Sequence, residues 1–236
     1  MHFLRLAFLF SNIYDILLSK QLEVLIMSNL LKSLYSIQKK DIRKAGAVLA
    51  NAFQNDPFWK KMLKIGNLKQ RQVFYETPVR YCLKFGEVYS SSENLEGIGA
   101  WVLNKYADMT IGRALRSGSA CSFFRMGRKM AAFTLKMKNI FEPLEADRKE
   151  NMKDRNYLYF MIIGTANENQ GKGHGKKIIE ALIEKSESMK LPVYLETTTP
   201  KNIKMYENFG FKVIHKVDLP IIELPQWSMI RECQSK

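Results

Sequence analysis

Residues Tyr157-Leu-Tyr-Phe-Met-Ile-Ile-Gly164 make an unbroken apolar run of strand length, and Gln170-Gly-Lys-Gly-His-Gly-Lys176 follows it. The second stretch carries glycines at three alternate positions, 171, 173 and 175, and opens into an amphipathic segment. Glycine lets the backbone pass close to a ligand and present bare N–H groups. The helix start beyond it adds partial positive charge. A strand, a glycine turn and a helix in this order form a loop suited to phosphate.

Which phosphate ligand is a matter of spacing. The nucleoside-triphosphate loop has four residues between its glycines and then Lys and Ser or Thr. Here six residues lie between Gly164 and Gly171, and Gly173 follows Lys172, so that reading fails. The dinucleotide fingerprint G-x-G-x-x-G is nearer, and Glu196 stands about 20 residues on, where a ribose-binding acid belongs. Against it, Lys176 occupies the third glycine position.

Gln170-Gly171-Lys172-Gly173-His174-Gly175 matches the Q/R-x-x-G-x-G/A acetyl-CoA loop of the GCN5-related N-acetyltransferase (GNAT) superfamily at every fixed position. Downstream, Leu191-Pro-Val-Tyr-Leu-Glu-Thr-Thr-Thr-Pro200 resembles the next strand, and Met205-Tyr-Glu-Asn-Phe-Gly-Phe211 the Tyr-x-x-x-Gly-Phe signature. Within the superfamily the chain is most similar to the branch that includes puromycin N-acetyltransferase, by its L-P-V-Y-L-E-T segment and the late tryptophan strand Gln226-Trp-Ser-Met-Ile-Arg231. The similarity is clear over about residues 157–231 and weaker back to about residue 34. It implies an α/β GNAT fold: a central, mixed and splayed β-sheet flanked by helices, with a helical insertion before the cofactor-binding strand.

Composition agrees. With 236 residues, 46% of them hydrophobic, the chain can bury one sizeable core, and residues 27–236 read as a single domain. Cys82, Cys121 and Cys233 are odd in number and widely spaced, which suits neither a disulfide framework nor a metal cluster; reduced thiols in a cytoplasm are expected. Residues 1–26 carry an apolar run broken by Asn12 and Asp15. They read as an over-long start or a loosely attached amphipathic helix, not as a secretion signal, and the run is too short for a membrane span.

Periodicity places the elements. Leu34 to Ile37 alternates as a strand, and Asp41 caps a helix with Ile42, Ala45, Val48, Leu49, Ala52 and Phe53 on one face. A second helix runs from about Lys69 to Phe85. Gly86–Ser91 and Gly97–Leu103 form a hairpin turned at Ser92-Glu-Asn94. Strand 157–164 comes next, then a helix from about Gly173 to Met189 with Ile178, Ile179, Leu182 and Ile183 facing inward. Strand 192–197, helix 200–208 and strands 211–217 and 226–231 complete the pattern.

Residues 105–155 interrupt this order as a basic helical insertion. Lys105 to Lys138 carries Arg113, Arg116, Arg125, Arg128, Lys129 and Lys136 against one acid, Asp108. Such a segment reads either as a lid over an acceptor site, which the puromycin-type resemblance implies, or as a peripheral helix with a solvated face. The resemblance usually brings a His-rich approach to the core strand; Asp154-Arg-Asn156 stands there instead. The net charge of +14 is spread along the chain without a recognisable nucleic-acid module, so nucleic acid is not expected as the main partner. Lys172, Lys176 and Lys177 have a local use beside the phosphates of CoA.

The resemblance also implies the site. The pyrophosphate of acetyl-CoA would lie on the amides of residues 171–176 (Gly171, Lys172, Gly173, His174, Gly175, Lys176), with Gln170 at the loop's start. Pantetheine would run along Met161, Ile162 and Ile163 like an added strand, and the Ile163 N–H would polarise the thioester carbonyl. Tyr206 is the expected general acid, its phenol protonated at neutral pH; packing against Phe209 and Phe211 is its structural alternative. Glu196 is the candidate general base or else a structural carboxylate. Asn202 is placed near the cofactor, although Thr199 stands where the superfamily has its more usual Asn. His174 is expected to face solvent or phosphate rather than to react. Phe53, Asp56, Phe58, Trp59 and Tyr81 either line the acceptor pocket or belong to the core.

Three functions remain open at this stage. An acetyl-CoA-dependent enzyme could acetylate a small primary amine by direct transfer in a ternary complex. The same fold could acetylate a protein N-terminus or lysine, or serve as a non-catalytic acyl-CoA sensor. No metal and no stable membrane insertion are expected, and the oligomeric state, a homodimer included, is left open.

Overall fold

Seven strands form one sheet in the order β1-β2-β3-β4-β5-β7-β6: β1 (Tyr35–Ser36), β2 (Gly86–Ser90), β3 (Gly97–Leu103), β4 (Leu158–Thr165), β5 (Val193–Thr197), β6 (Lys212–Leu219) and β7 (Leu224–Arg231). All neighbours are antiparallel except β4 and β5. The computed structural model describes residues 29–57, 60, 67–128, 131, 132, 135, 138–219 and 223–234. The expected extension 1–26, the aromatic pair Phe58 and Trp59, and Lys129 and Lys136 therefore lie outside the described residues. No described helix is long and apolar enough to cross a membrane.

Helix α1 (Asn29–Lys32) precedes β1, and α2 (Ile42–Ala52) and α3 (Leu68–Phe85) lie between β1 and β2. The inward residues of α2 recur at helical spacing, as the pattern requires. Asp41 does not cap α2 forward. Its carboxylate accepts from the Gln38 N–H (2.9 Å) and the Tyr35 hydroxyl (2.9 Å) instead, closing a short 3-10 turn that the sequence pattern hid. Asn67 starts α3 by a reciprocal capping box with Gln70, both bonds at 3.0 Å.

The sheet is covered on both faces. One face carries α2 and α3, whose Leu49, Val73, Val79 and Tyr81 pack on Val88, Ile98, Ala100 and Val102. The other carries α7 (His174–Met189), whose Ile178, Ile179 and Leu182 pack on Trp101, Leu158, Phe160 and Leu195. Strand β3 is buried on both sides, hence its unbroken apolar sequence. Gly99 lets α7 approach: a Cβ there would stand 2.3 Å from Ile178 Cγ2. We expect Gly99→Val to overpack this seam and cost about 1–3 kcal/mol, read as a lower melting temperature; a variant as stable as the parent would show that the seam is loose.

The insertion is helical, as expected: α4 (Ile111–Arg116), α5 (Ser119–Arg125) and α6 (Lys138–Met152). Part of its positive charge is used internally. Arg125 pairs at 2.5 Å with Glu76, a fully buried acid that also holds Arg80, and Arg113 donates to the Asp108 carbonyl and stacks over Tyr106. Helix α6 buries Ile140, Leu144 and Met152 and turns Asp147 and Arg148 inward.

Candidate active site

The parallel pair β4–β5 is joined only at Leu158↔Val193 and Tyr159↔Tyr194. Beyond these residues β4 continues beside β3 alone and β5 beside β7 alone, so a wedge opens between them. The hydrogen-bond alternation of β4 tells which of its groups face that wedge. At one end Tyr157 C=O accepts from Asn104 on the β3 side, while the Leu158 N–H donates to Pro192 on the β5 side, both at 2.9 Å. At the other end the Ala166 N–H donates toward β3, to Glu96 C=O. Counting inward, the two alternations meet at a bulge: Ala100 opposes Ile162 and Trp101 opposes Phe160, which leaves Met161 as the extra residue. The open side therefore receives the backbone groups of Phe160, Ile163 and Thr165. Met161 and Ile162 both turn toward β3, and Met161 Sδ lies 3.6 Å from the buried Cys82 thiol. The strand-like pairing expected at Met161 thus moves to Phe160, whereas Ile163 keeps its expected place.

The glycine loop leads from β4 to α7. Gly171 and Gly173 have φ of +78° and +88°, and nothing lies within 4 Å of where their Cβ atoms would be. Both are left-handed positions under open space. The loop is tied down from behind: Gln170 Nε2 donates to Thr165 C=O (3.3 Å) and Asn167 Oδ1 (3.0 Å), and Asn167 is bonded to Asn51 of α2. Among the described residues, no backbone bond takes the N–H groups of 171–176; the first helical bond is from Lys177 to Gly173. Six free amides, a helix start and the exposed side chains of Lys172 and Lys176 suit a diphosphate. The side chains around the loop have partners too: Lys172 Nζ donates to Asn169 Oδ1 at 3.3 Å and Lys176 Nζ stands 3.7 Å from Glu180, both exposed, while Lys177 and His174 are held from behind the loop. Lys177 Nζ donates to the carbonyls of Ser33 (2.8 Å) and Ser91 (3.0 Å), so it is structural and not a phosphate ligand. His174 Nδ1 sits 3.0 Å from Ser91 Oγ, turned toward the β2–β3 hairpin.

Tyr206 and Glu196 flank the wedge from opposite faces of the sheet. Tyr206, on α8 (Pro200–Glu207), is 6% exposed and packs on Phe211 at 5.5 Å in the cluster that includes Leu195. Burial pushes its phenol well above the ordinary value and keeps it protonated. Glu196, next to Leu195 on β5, points the other way, its side chain 13% exposed. Its Oε2 accepts from the Tyr159 hydroxyl at 2.6 Å, and Oε1, buried and without a hydrogen-bond partner among the described residues, stands 3.6 Å from Arg148 Nη1. Burial raises the Glu196 carboxyl above the usual carboxylate range; Arg148 and the hydroxyls of Tyr159 and Tyr194 pull it partly back.

Arg148, 4% exposed, is the centre of this face. It bonds Asp108 Oδ1 at 2.5 Å, stacks over Tyr159 at 4.8 Å, and with Asp108, Lys149 and Tyr157 lines a cleft. The neighbouring carboxylate and phenols hold its guanidinium charged against burial. Arg148, Tyr159 and Tyr194 are site residues that sequence reasoning missed. Tyr157, Tyr159, Tyr194 and Glu196 share a period of two on two strands, a signal present in the sequence; nothing local marks Arg148. Asn202 donates to Thr197 Oγ1 (3.3 Å) and Thr199 to Asp56 (3.3 Å), which fasten the start of α8. Phe53 stacks on Tyr75, and Tyr81 is fully buried with its hydroxyl bonded to the carbonyls of Tyr106 and Asp108. Tyr81 belongs to the core, and Phe53 packs half-buried against it. Among the described residues no group of His, Cys, Asp and Glu side chains could hold a metal ion.

The sequence model of the acetyltransferase (GNAT) family matches residues 139–211, from α6 through the glycine loop to Phe211. An uncharacterized N-acetyltransferase of Schizosaccharomyces pombe is 28% identical over 187 residues, 74% of this chain and 72% of its own length. Among solved structures, arylalkylamine N-acetyltransferase 2 of Aedes aegypti superimposes with a TM-score of 0.61 at 14% identity, covering 85% of this chain and 98% of the mosquito protein. A Corynebacterium glutamicum protein described as histone acetyltransferase HPA2 and related acetyltransferase gives 0.57 at 14% identity, with 86% and 98% covered. At such identities the superpositions speak for the fold.

Proposed function

We propose that the chain, an N-acetyltransferase of the GNAT type by its family-model match and its curated relative, acetylates a primary amine of a small molecule by direct transfer from acetyl-CoA. The observation that carries this reading is the wedge itself, with free amides at its mouth, an unpaired strand edge along it, and a half-buried carboxylate on one face opposite a buried phenol on the other. Acetyl-CoA supplies the activated acetyl group. The amides of 171–176 would hold its diphosphate, with Lys172 and Lys176 beside them, and the β4 edge at Phe160 and Ile163 would bind its pantetheine arm. The Ile163 N–H is placed to polarise a carbonyl, since it faces the wedge and has no strand partner there.

Glu196 accepts a proton from the acceptor's ammonium at Oε1, the oxygen without a hydrogen-bond partner. Burial suits it to this, because a raised carboxyl is a stronger base than an ordinary glutamate. Tyr159 holds the other oxygen and so aims the carboxylate. Tyr206 donates to the leaving sulfur from the opposite face. Asn202 we keep near the cofactor through its anchoring of the α8 start. The small-molecule reading is favoured over a protein acceptor because α6 lies against the Glu196 face, with Arg148 Nη1 3.6 Å from Glu196 Oε1. The puromycin-type branch is our finer assignment, resting on the L-P-V-Y-L-E-T segment and on the insertion at 105–155.

Calorimetric titration with acetyl-CoA, with NADH as control, is expected to give saturable binding of the first alone. Release of CoA thiol is then followed with tryptamine and with a short peptide bearing a free N-terminus. Turnover of tryptamine supports the small-amine reading, and turnover of the peptide alone overturns it. Tyr206→Phe is expected to lower kcat by about 10²-fold with acetyl-CoA affinity retained; unchanged turnover removes Tyr206 as the acid.

A further inference from the structure

We infer that the outer face of the insertion docks this protein on an anionic lipid surface. The inference stands apart from the acetyl-transfer reading and uses none of its residues. Five large apolar side chains stand far more open than the rest: Leu68 (64% exposed), Ile111 (83%), Leu115 (62%), Phe124 (85%) and Leu135 (67%). The other exposed ones among the described residues, on α1, α7, α8 and β6, lie between 37% and 40%. Single exposed apolar residues are ordinary on any protein, but a gathering of the most exposed ones marks an interaction surface.

Four of the five belong to the insertion. The fifth, Leu68, starts α3, and that helix end is fastened to the insertion: Gln70 Nε2 donates to Met126 C=O at 2.9 Å. Ile111 and Leu115 stand four residues apart on α4 and so share one side of it. Helix α5 turns its inner side to α3. There Ser119 Oγ donates to Thr77 C=O at 3.2 Å, Arg125 pairs with Glu76, and Ser122 between them is fully buried. Phe124 therefore points outward. Both α4 and α5 pack on α3 and on each other, so their outer sides both turn away from it.

Charge decides what such a face fits. Residues 109–141 contain seven lysines and arginines and no acid. Arg113 and Arg125 are engaged inside the fold, but Arg116 and Arg128, like Lys69 beside Leu68, are exposed and meet no acid among the described residues. Open apolar chains and uncompensated positive charge thus share one surface. A nucleic acid would answer the charge and leave the apolar chains in water. An anionic bilayer answers both: its headgroups meet the cations, and the aliphatic and aromatic ends enter the acyl boundary. The docking is peripheral, because no described helix is long and apolar enough to cross a membrane.

The test co-sediments the full chain with vesicles of phosphatidylcholine, alone or with about one-third phosphatidylserine. Wild type is expected to pellet with the anionic vesicles only. Raising salt from about 0.1 M to about 1 M, which shortens the Debye length from about 10 Å to about 3 Å, should release it. The double variant Leu115→Glu, Phe124→Glu should bind roughly tenfold more weakly with its melting temperature unchanged. Arg116→Glu with Arg128→Glu should weaken binding too and flatten its salt dependence. Wild type that ignores anionic vesicles overturns the inference. If it shifts duplex DNA in a gel instead, the face is a nucleic-acid site; if it self-associates and Phe124→Glu abolishes this, the face is a protein interface. A Leu115→Glu, Phe124→Glu variant that binds vesicles as wild type does also overturns it, by placing the contact elsewhere in the chain. None of these measurements reads CoA release, so failure of the acetyltransferase reading would leave their outcome untouched.

Discussion

Glu196→Gln is expected to lower kcat by about 10²–10⁴-fold while leaving acetyl-CoA affinity unchanged. The amide keeps the shape and can still accept from Tyr159, so the variant isolates the loss of basicity. The pH profile carries a second expectation. Burial raises the Glu196 carboxyl, and Arg148 and Tyr159 offset this only in part. Activity needs the ionised form, so the acid limb of kcat/KM should rise with pH through a value above the ordinary glutamate pKa of about 4.3. Stability runs the opposite way. The raised group favours the fold while protonated, and ionising it costs stability as pH climbs from about 4.3 through the raised value. An acid limb at the ordinary carboxylate position, or full activity in Glu196→Gln, removes Glu196 from the mechanism.

Arg148→Met is expected to give the largest loss of stability, about 3 kcal/mol at neutral pH, the lower end for breaking a buried ion pair. Asp108 would retain Lys149 at 2.8 Å, but Glu196 would be left with phenols alone. Glu196 can escape the penalty by taking a proton, so the melting-temperature difference from wild type should shrink toward about pH 5 and widen toward about pH 8. In the same variant the acid limb of kcat/KM should move to higher pH, because the cation that lowers the Glu196 pKa is gone. A melting-temperature difference independent of pH would mean that Arg148 does not hold Glu196.

The two variants also separate the insertion's roles. Arg148 comes from α6, inside the segment that the sequence marks only as basic and helical. If Arg148→Met moves the acid limb, the insertion is part of the site's electrostatics. A lid that only shapes access would change the KM of the acceptor and leave the pH profile where it was.

Local chemistry wrote much of this protein into its sequence. The apolar run at 157–164, the glycines at 171 and 173, the helical period of 173–189 and the Tyr206 segment each depend on neighbours in the chain, and each is found where that pattern puts it. So is the order of strands and helices after residue 157. Three features depend on residues far apart in sequence, and only the folded chain decided them. The bulge at Met161 arises from pairing with Ala100 and Trp101, and it shifts the open-side groups to Phe160 and Ile163. The pairing of Glu196 with Tyr159 and Arg148 joins β5, β4 and the insertion. The open apolar face of the insertion joins α4 and α5 to the start of α3. Periodicity says which face a side chain takes, but not which partner arrives there from another element. That pairing is set by strand register and helix packing, where burial makes each polar group find a donor, an acceptor or a countercharge.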